Sequence, residues 1–406
     1  MPLAAEIIGS HAGTGAPAPG ELATVDVDHV YLQDGNTPTI RRLFERYGFD
    51  EVFDAARISA FFDHAVLSPT AAMSDRLREA QEFADALGIN VYAAGRGVSH
   101  VVALERGLYR PRDIVVAADS HTCTGGAVQC LALGMGASDV AAAMVTGRTW
   151  LRVPETVWIR VSGAPSPAAR TKDVMLYALA SFGQEPFLYR SLEWCGEWLE
   201  GLSLDAAATM ANMAVELGCK CCFMPDGPGR PEGMADTAPD GSGRVLELDL
   251  AGLPPMVARP HDPASAVPLD ECAGSDIDYV FIGSCTNGRY EDLVEAADVL
   301  RERAVAPGVQ CVVTPGSLDI HRRAVQEGIA DDLLASGALL TPASCGPCVG
   351  TQGPVPAAGA RVLATSSRNF RGRMGNPDAS IWLSSPLVAA HTAATGRLPR
   401  PEELVR

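Results

Sequence analysis

Ser284-Cys285-Thr286-Asn287-Gly288-Arg289 and Ser344-Cys345-Gly346-Pro347-Cys348-Val349-Gly350 decide how this chain is read. Each stretch presents cysteine shortly after a strand-like apolar run, among small residues and glycine. Cys345 and Cys348 are spaced so that two thiolates can reach one centre, and Cys285 supplies a third from much earlier in the chain. Three thiolates in that setting can hold an iron–sulfur cluster while leaving one iron without a protein ligand, and an open iron is a Lewis acid. The C-x-x-C spacing alone is shared with thiol redox motifs and zinc sites.

The rest of the third region fits that reading. Strands are expected at Asp278–Gly283, Gln310–Thr314, Ala338–Thr341 and Arg361–Ala364, alternating with helices Glu291–Glu302 and Leu318–Glu327. Three of those strands lead into polar, glycine-containing segments: Cys285–Arg289, Ser344–Gly350 and Ser366–Arg373. Ligands of open parallel sheets bind beyond the carboxyl ends of the strands, so the segments can converge on one site.

Apolar runs alternate with helical patterns through most of the chain, which is the pattern of an α/β protein with largely parallel sheets. After a helix at Leu3–His11, strands are expected at Asp26–Leu32, Arg57–Phe62, Asn90–Ala94, Asp113–Ala118 and Thr156–Val161, with helices at Ser74–Leu87 and Ser138–Arg148. A second region holds helices Lys172–Ser181 and Leu204–Leu217, an apolar run Lys220–Met224, and a Gly/Pro/Asp-rich loop Pro225–Arg244. With 406 residues, more than one core is expected, and the divisions fall at 1–155, 156–262 and 263–406.

Composition narrows the function. A net charge of −17 opposes a nucleic-acid partner, which needs a basic face. It leaves room for a small anionic substrate held by local arginines. No apolar run approaches the length of a membrane span, so no membrane partner is expected. Eleven cysteines without a secretory start point to reduced thiols in the cytoplasm. Cys219, Cys221 and Cys222 sit inside an apolar run and read as core. Alternation along a strand would send Cys221 and Cys222 to opposite faces.

Acid–imidazole groups follow two of the expected strands: Asp63-His64, and Asp119-Ser120-His121. His100 ends the glycine-containing segment Gly95–His100. A carboxylate beside a histidine fixes its tautomer and raises its basicity, which suits proton transfer. Arg368, Arg371 and Arg373 follow another strand and offer guanidiniums for carboxylate recognition. His11, His29, His261, His321 and His391 read as ordinary core or surface residues.

Together these motifs resemble the aconitase superfamily, most nearly its isopropylmalate dehydratase large-subunit branch. The matching stretches are Leu3–Gly13, Thr24–Asp34, Asp63-His64, Gly97–His100, Asp119–Gly126, Asn212–Gly218, Gly283–Leu293, Ser344–Gly350 and Arg368–Gly375, in family order over nearly the whole chain. The resemblance implies a three-domain α/β/α assembly around a 4Fe-4S cluster bound by Cys285, Cys345 and Cys348, its fourth iron facing substrate. It implies acid–base pairs His64 with Asp63, His100 with Asp119, and His121 with Glu216. Gln33, Ser120, Arg368 and Arg373 would lie near substrate, and Asn212 near the cluster.

The resemblance further implies a hydro-lyase that isomerises a 2-hydroxy di- or tricarboxylate by dehydration and rehydration. Its first-choice substrate is 2-isopropylmalate, in leucine biosynthesis; another 2-alkylmalate, homocitrate or citrate are the alternatives. The mobile swivel domain of full-length aconitases has no counterpart before Arg406, so a separate small subunit is expected to supply it. Gln33 stands where the branch typically has histidine, Ser367 where asparagine is usual, and Gly125 where histidine is common; these departures bear on substrate choice. Two readings of other classes stand beside this one. A cluster-bearing sensor without turnover is opposed by the acid–histidine set. An electron-transfer protein would prefer a fully ligated cluster.

Overall fold

Three mainly parallel sheets carry the chain, and the carboxyl ends of two of them face one another. The computed structural model describes residues 2–13, 15–235, 237–239 and 241–405; Asp236 and Asp240 of the expected loop Pro225–Arg244 lie outside the described residues.

The first sheet has five parallel strands in the order Asn90–Tyr92, Ile58–Phe61, His29–Gln33, Ile114–Ala117, Leu131–Gly134. The second has four parallel strands in the order Cys221–Phe223, Ser191–Cys195, Thr156–Ser162, Arg244–Asp249. The third has seven. Its parallel part runs Ser380–Leu383, Arg361–Ala364, Tyr279–Ile282, Gln310–Val313, Leu339–Leu340, and an antiparallel edge is made by Met256–Ala258 and Ala266–Pro268. Ile114–Ala117 and Tyr279–Ile282 are buried at every position, because helices cover both faces of such sheets.

The local code is visible at helix ends. Leu318–Gln326 is capped by the Ser317 hydroxyl, which accepts from the Ile320 amide, and it buries Ile320 and Ala324 one turn apart. The helix Ala137–Thr146 stops at Gly147, whose φ of 68° is left-handed, so it ends two residues before the expected Arg148.

The expected strand Asp26–Leu32 is two strands, Leu22–Asp26 and His29–Gln33, in different sheets. The first pairs antiparallel with Arg148–Arg152. At the break, the Asp28 carboxylate accepts from the Ile114 amide at 2.7 Å and meets His11 Nε2 at 2.8 Å. Seven strands among the described residues lie outside the sequence expectations: Leu131–Gly134, Arg148–Arg152, Ser191–Cys195, Arg244–Asp249, Met256–Ala258, Ala266–Pro268 and Ser380–Leu383.

Cys219 and Cys222 share the spacing of Cys345 and Cys348, yet both belong to the core between the second and third sheets, and burial raises their thiols well above the usual range. Cys221 packs in the first sheet's core instead, so the two neighbours do face opposite ways. Among the described residues no helix is long and apolar enough to cross a membrane.

Candidate active site

Two sets of strand ends meet. From the first sheet come Gln33 and Asp34, then Asp63-His64 after Ile58–Phe61, and Asp119–His121 after Ile114–Ala117. From the third come Cys285 after Tyr279–Ile282, Cys345 and Cys348 after Leu339–Leu340, and Ser367–Arg373 after Arg361–Ala364. Backbone bonds stitch the two together: the Cys345 amide donates to Asp63 O at 2.9 Å and the Val98 amide to Gly316 O at 2.8 Å. The Thr351 hydroxyl donates to His64 O at 2.6 Å.

Each of the three histidines meets a carboxylate. His64 Nδ1 lies 2.6 Å from Asp63 Oδ1 and 3.5 Å from Asp34 Oδ1. Burial opposes a charge on His64, but Asp63 and Asp34 outweigh it and hold its pKa well above the ordinary value. His100 Nε2 lies 2.9 Å from Asp119 Oδ1, and its Nδ1 lies 2.8 Å from the Tyr31 hydroxyl. His121 Nε2 sits 3.1 Å from Glu216 Oε1 and 2.8 Å from Ser367 Oγ. Burial again opposes the charge, yet Cys285, Asp119 and Glu216 push the His121 pKa up to about 10. Glu216 is also gripped by Arg368, whose Nε is 2.7 Å from Oε1; against burial, His121 and Arg368 keep this carboxyl below its usual range.

The second sheet's helices supply the floor. Glu216 stands in the short turn Ala214–Leu217 that follows the helix Leu204–Met213. Asn212 closes that helix: its Nδ2 donates to Thr124 Oγ1 at 2.9 Å, and its Oδ1 accepts from Thr286 Oγ1, next to Cys285, at 2.8 Å.

Gln33 is buried, donating to Ser99 Oγ at 2.7 Å, whereas Ser120 is exposed. Arg373 Nη2 lies 3.8 Å from Cys348 Sγ, and its Nε has no hydrogen-bond partner. A cavity of about 320 Å³, lined by Asp34, Arg42, His64, Met73, Arg76 and Thr351, opens beside the His64 pair. That is room for a small hydroxy acid.

Sequence reasoning did not single out Asp34, Tyr31 or Ser99. Asp34 accepts from the His64 and Ala65 amides at 3.2 and 2.8 Å, and Asp63 Oδ2 accepts from the Ser99 amide at 2.7 Å. The position of Asp34, two residues after the expected strand Asp26–Leu32, is the available signal.

Among the described residues, two groups have ligand atoms all within 4.8 Å of one another and could hold a metal ion: His100, Asp119 and His121, and Asp34, Asp63 and His64. The three cysteines together do not form such a close group. All three are buried. Cys345 donates a hydrogen bond that holds Cys348 well below the usual thiol range, with help from Arg373. Glycines shape the loops around them. A Cβ on Gly346 (φ 64°) would come within 2.8 Å of Thr314 Oγ1, and one on Gly283 within 2.7 Å of Thr314 O. Soft, buried, partly ionised donors in a tight backbone cradle fit an iron–sulfur cluster.

The sequence model of the aconitase family (aconitate hydratase) matches residues 22–227 and 270–396. The chain belongs to the aconitase family. Within that family it is 38% identical to the 3-isopropylmalate dehydratase large subunit of Desulfitobacterium hafniense, each chain covered in full. It is also 38% identical to the large subunit 1 of that enzyme from Pyrococcus furiosus, over 100% of this chain and 99% of the relative. The crystal structure of holo aconitase X from Thermococcus kodakaraensis superimposes with a TM-score of 0.56 over 85% of this chain and 84% of the other. At 12% identity that likeness speaks for the aconitase-like fold alone.

Proposed function

We propose that this chain is the large, cluster-bearing subunit of an aconitase-family hydro-lyase that isomerises 2-isopropylmalate to 3-isopropylmalate. The observation that carries it is the 2.9 Å bond from the Cys345 amide to Asp63 O, which joins a cluster thiol to an acid–imidazole pair. Similarity in full length to 3-isopropylmalate dehydratase large subunits supports the substrate. Other 2-alkylmalates, homocitrate and citrate share the chemistry.

Cys285, Cys345 and Cys348 would hold a 4Fe-4S cluster. When bound, it supplies Lewis-acid polarisation of the substrate's hydroxyl and carboxylate from an iron without a protein ligand. The chain's own residues handle protons and charge. His121, with a pKa of about 10, holds a proton at neutral pH and can deliver it to the departing hydroxide, which leaves as water. Glu216 keeps that imidazole charged. Asp119 orients His100, and Asp63 with Asp34 orient His64, as acid–base partners at the adjoining wall. Arg368 pairs a substrate carboxylate, and Ser120 and Gln33 line the approach. Arg373 faces Cys348 and balances negative charge at the cluster. The carbon-bound proton goes to a base on a separate small subunit, and rehydration at the neighbouring carbon reverses these transfers.

The domains are 1–155, 156–262 and 263–406; the three sheets support this division, with Met256–Ala258 crossing into the third. Eleven unbridged, buried cysteines support a reducing cytoplasm.

The test is anaerobic reconstitution with iron, sulfide and the cognate small subunit, followed by assay for the alkene. Formation of alkene from 2-isopropylmalate is expected. No alkene from any 2-alkylmalate, homocitrate or citrate would overturn the proposal.

A further inference from the structure

Two lysines stand among the 32 basic side chains of this chain, and one of them, Lys172, is completely buried. It occupies the second position of the helix Thr171–Phe182. There the helix dipole disfavours a cation, and burial does so again. Fold stability alone gives no reason for an ammonium at this point.

Its contacts do. Lys172 Nζ donates to Thr365 O and to Ser366 O, each at 2.7 Å. These carbonyls follow the strand Arg361–Ala364 and immediately precede Ser367 and Arg368. Ser367 Oγ lies 2.8 Å from His121 Nε2, and Arg368 Nε lies 2.7 Å from Glu216 Oε1. Beyond Arg368 the loop is tied down by Asn369 Nδ2, which donates to Arg259 O at 2.8 Å and Ile381 O at 3.0 Å. Thr365 Oγ1 in turn accepts from the Gly283 amide at 2.9 Å, two residues before Cys285. A compact ammonium can direct donors to two adjacent carbonyls, which the flat guanidinium fork suits poorly.

We propose that Lys172 is a positioning residue: its grip on the carbonyls of Thr365 and Ser366 fixes the loop that sets the Ser367 hydroxyl on His121 and the Arg368 guanidinium on Glu216. The effect on turnover rests on the function proposed above; the grip on the loop does not.

Lys172→Met and Lys172→Gln are compared with the wild type as cluster-loaded complexes with the small subunit. Three readouts are taken: iron and sulfide content, amide hydrogen exchange, and kcat and KM for 2-isopropylmalate. Lys172→Met is expected to keep iron and sulfide, while the amides of residues 367–370 exchange about tenfold faster or more and those of 284–289 are unchanged. KM should rise roughly tenfold and kcat fall, because both carboxylate capture and His121 are misplaced. Lys172→Gln, which keeps a shorter amide donor, should lie between; it carries the comparison if the methionine variant does not fold. Wild-type exchange at 367–370, or acceleration spread evenly over the chain, overturns the proposal. If the wild type turns over no substrate, the functional reading fails while the exchange comparison still decides the role of Lys172.

Discussion

In the proposed reaction, His121 concentrates the chemistry at the level of single residues. Cys285, Asp119, Glu216 and Ser367 act on one buried imidazole, and the balance leaves it protonated at neutral pH. His121→Ala should therefore retain iron and sulfide but lose roughly 100- to 10,000-fold in kcat, the range of a lost general acid. Steady-state kinetics beside iron analysis checks this; loss of the cluster with a normal rate per iron would contradict it. Cys345→Ser should instead lose most of its iron under the same reconstitution, since a hydroxyl is a poor soft-metal ligand. A third residue bears on stability. His29, buried beside Ser59 with Nε2 2.9 Å from Oγ, is depressed to about 4, first by burial and then by Arg57 and Arg110. The unfolded chain binds that proton below about 6.5 and the folded chain only below about 4, so stability falls as pH drops through this window, by about 3 kcal/mol in total. Urea unfolding between those pH values should show a shallower acid loss in His29→Gln; an unchanged slope would contradict the assignment.

At the scale of elements, the short helical segment Ser120–Val128 carries His121 and presses against the strand Cys221–Phe223. Gly126 makes the approach possible: a Cβ there would fall 1.9 Å from Cys222 O. Gly126→Ala must push backbone from backbone, and should destabilise by about 2 kcal/mol or more while displacing His121. Thermal melting and kcat should fall together; a wild-type melting point would contradict it. Elements with strong local signals were legible in the sequence. The C-x-x-C loop, the Asp63-His64 and Asp119–His121 strand ends, and Leu318–Gln326 with its serine cap were visible because spacing and capping are local. The partner of His121 was not, since Glu216 lies 95 positions away and spacing carries no such information; only the family resemblance suggested the pair. Lys172 was invisible for a related reason: lysine reads as a surface residue until its burial is seen. Ser191–Cys195 escaped notice because it is buried on both faces and carries Glu193, which accepts from the Leu3 amide at 2.9 Å and so breaks the apolar run.

Across the whole molecule, two parallel sheets meet carboxyl end to carboxyl end, with the helices of the second sheet beneath them. Asp119 and Ser120 remain in part open to solvent, on the side where a small subunit would close the site. The large chain alone should accordingly be a poor catalyst, and adding its small subunit should raise kcat/KM by about 100-fold or more as water is excluded and the carbon base arrives. Titration of one subunit with the other in the alkene assay measures this; full activity without the partner would contradict it. The proposed cluster is held by three thiolates, with one iron left for substrate. Mössbauer spectroscopy of the anaerobically reconstituted chain, with and without 2-isopropylmalate, addresses it most directly. One iron site in four should change its isomer shift and quadrupole splitting when substrate is added. Four sites that ignore every hydroxy acid, or a centre that contains zinc, would contradict it.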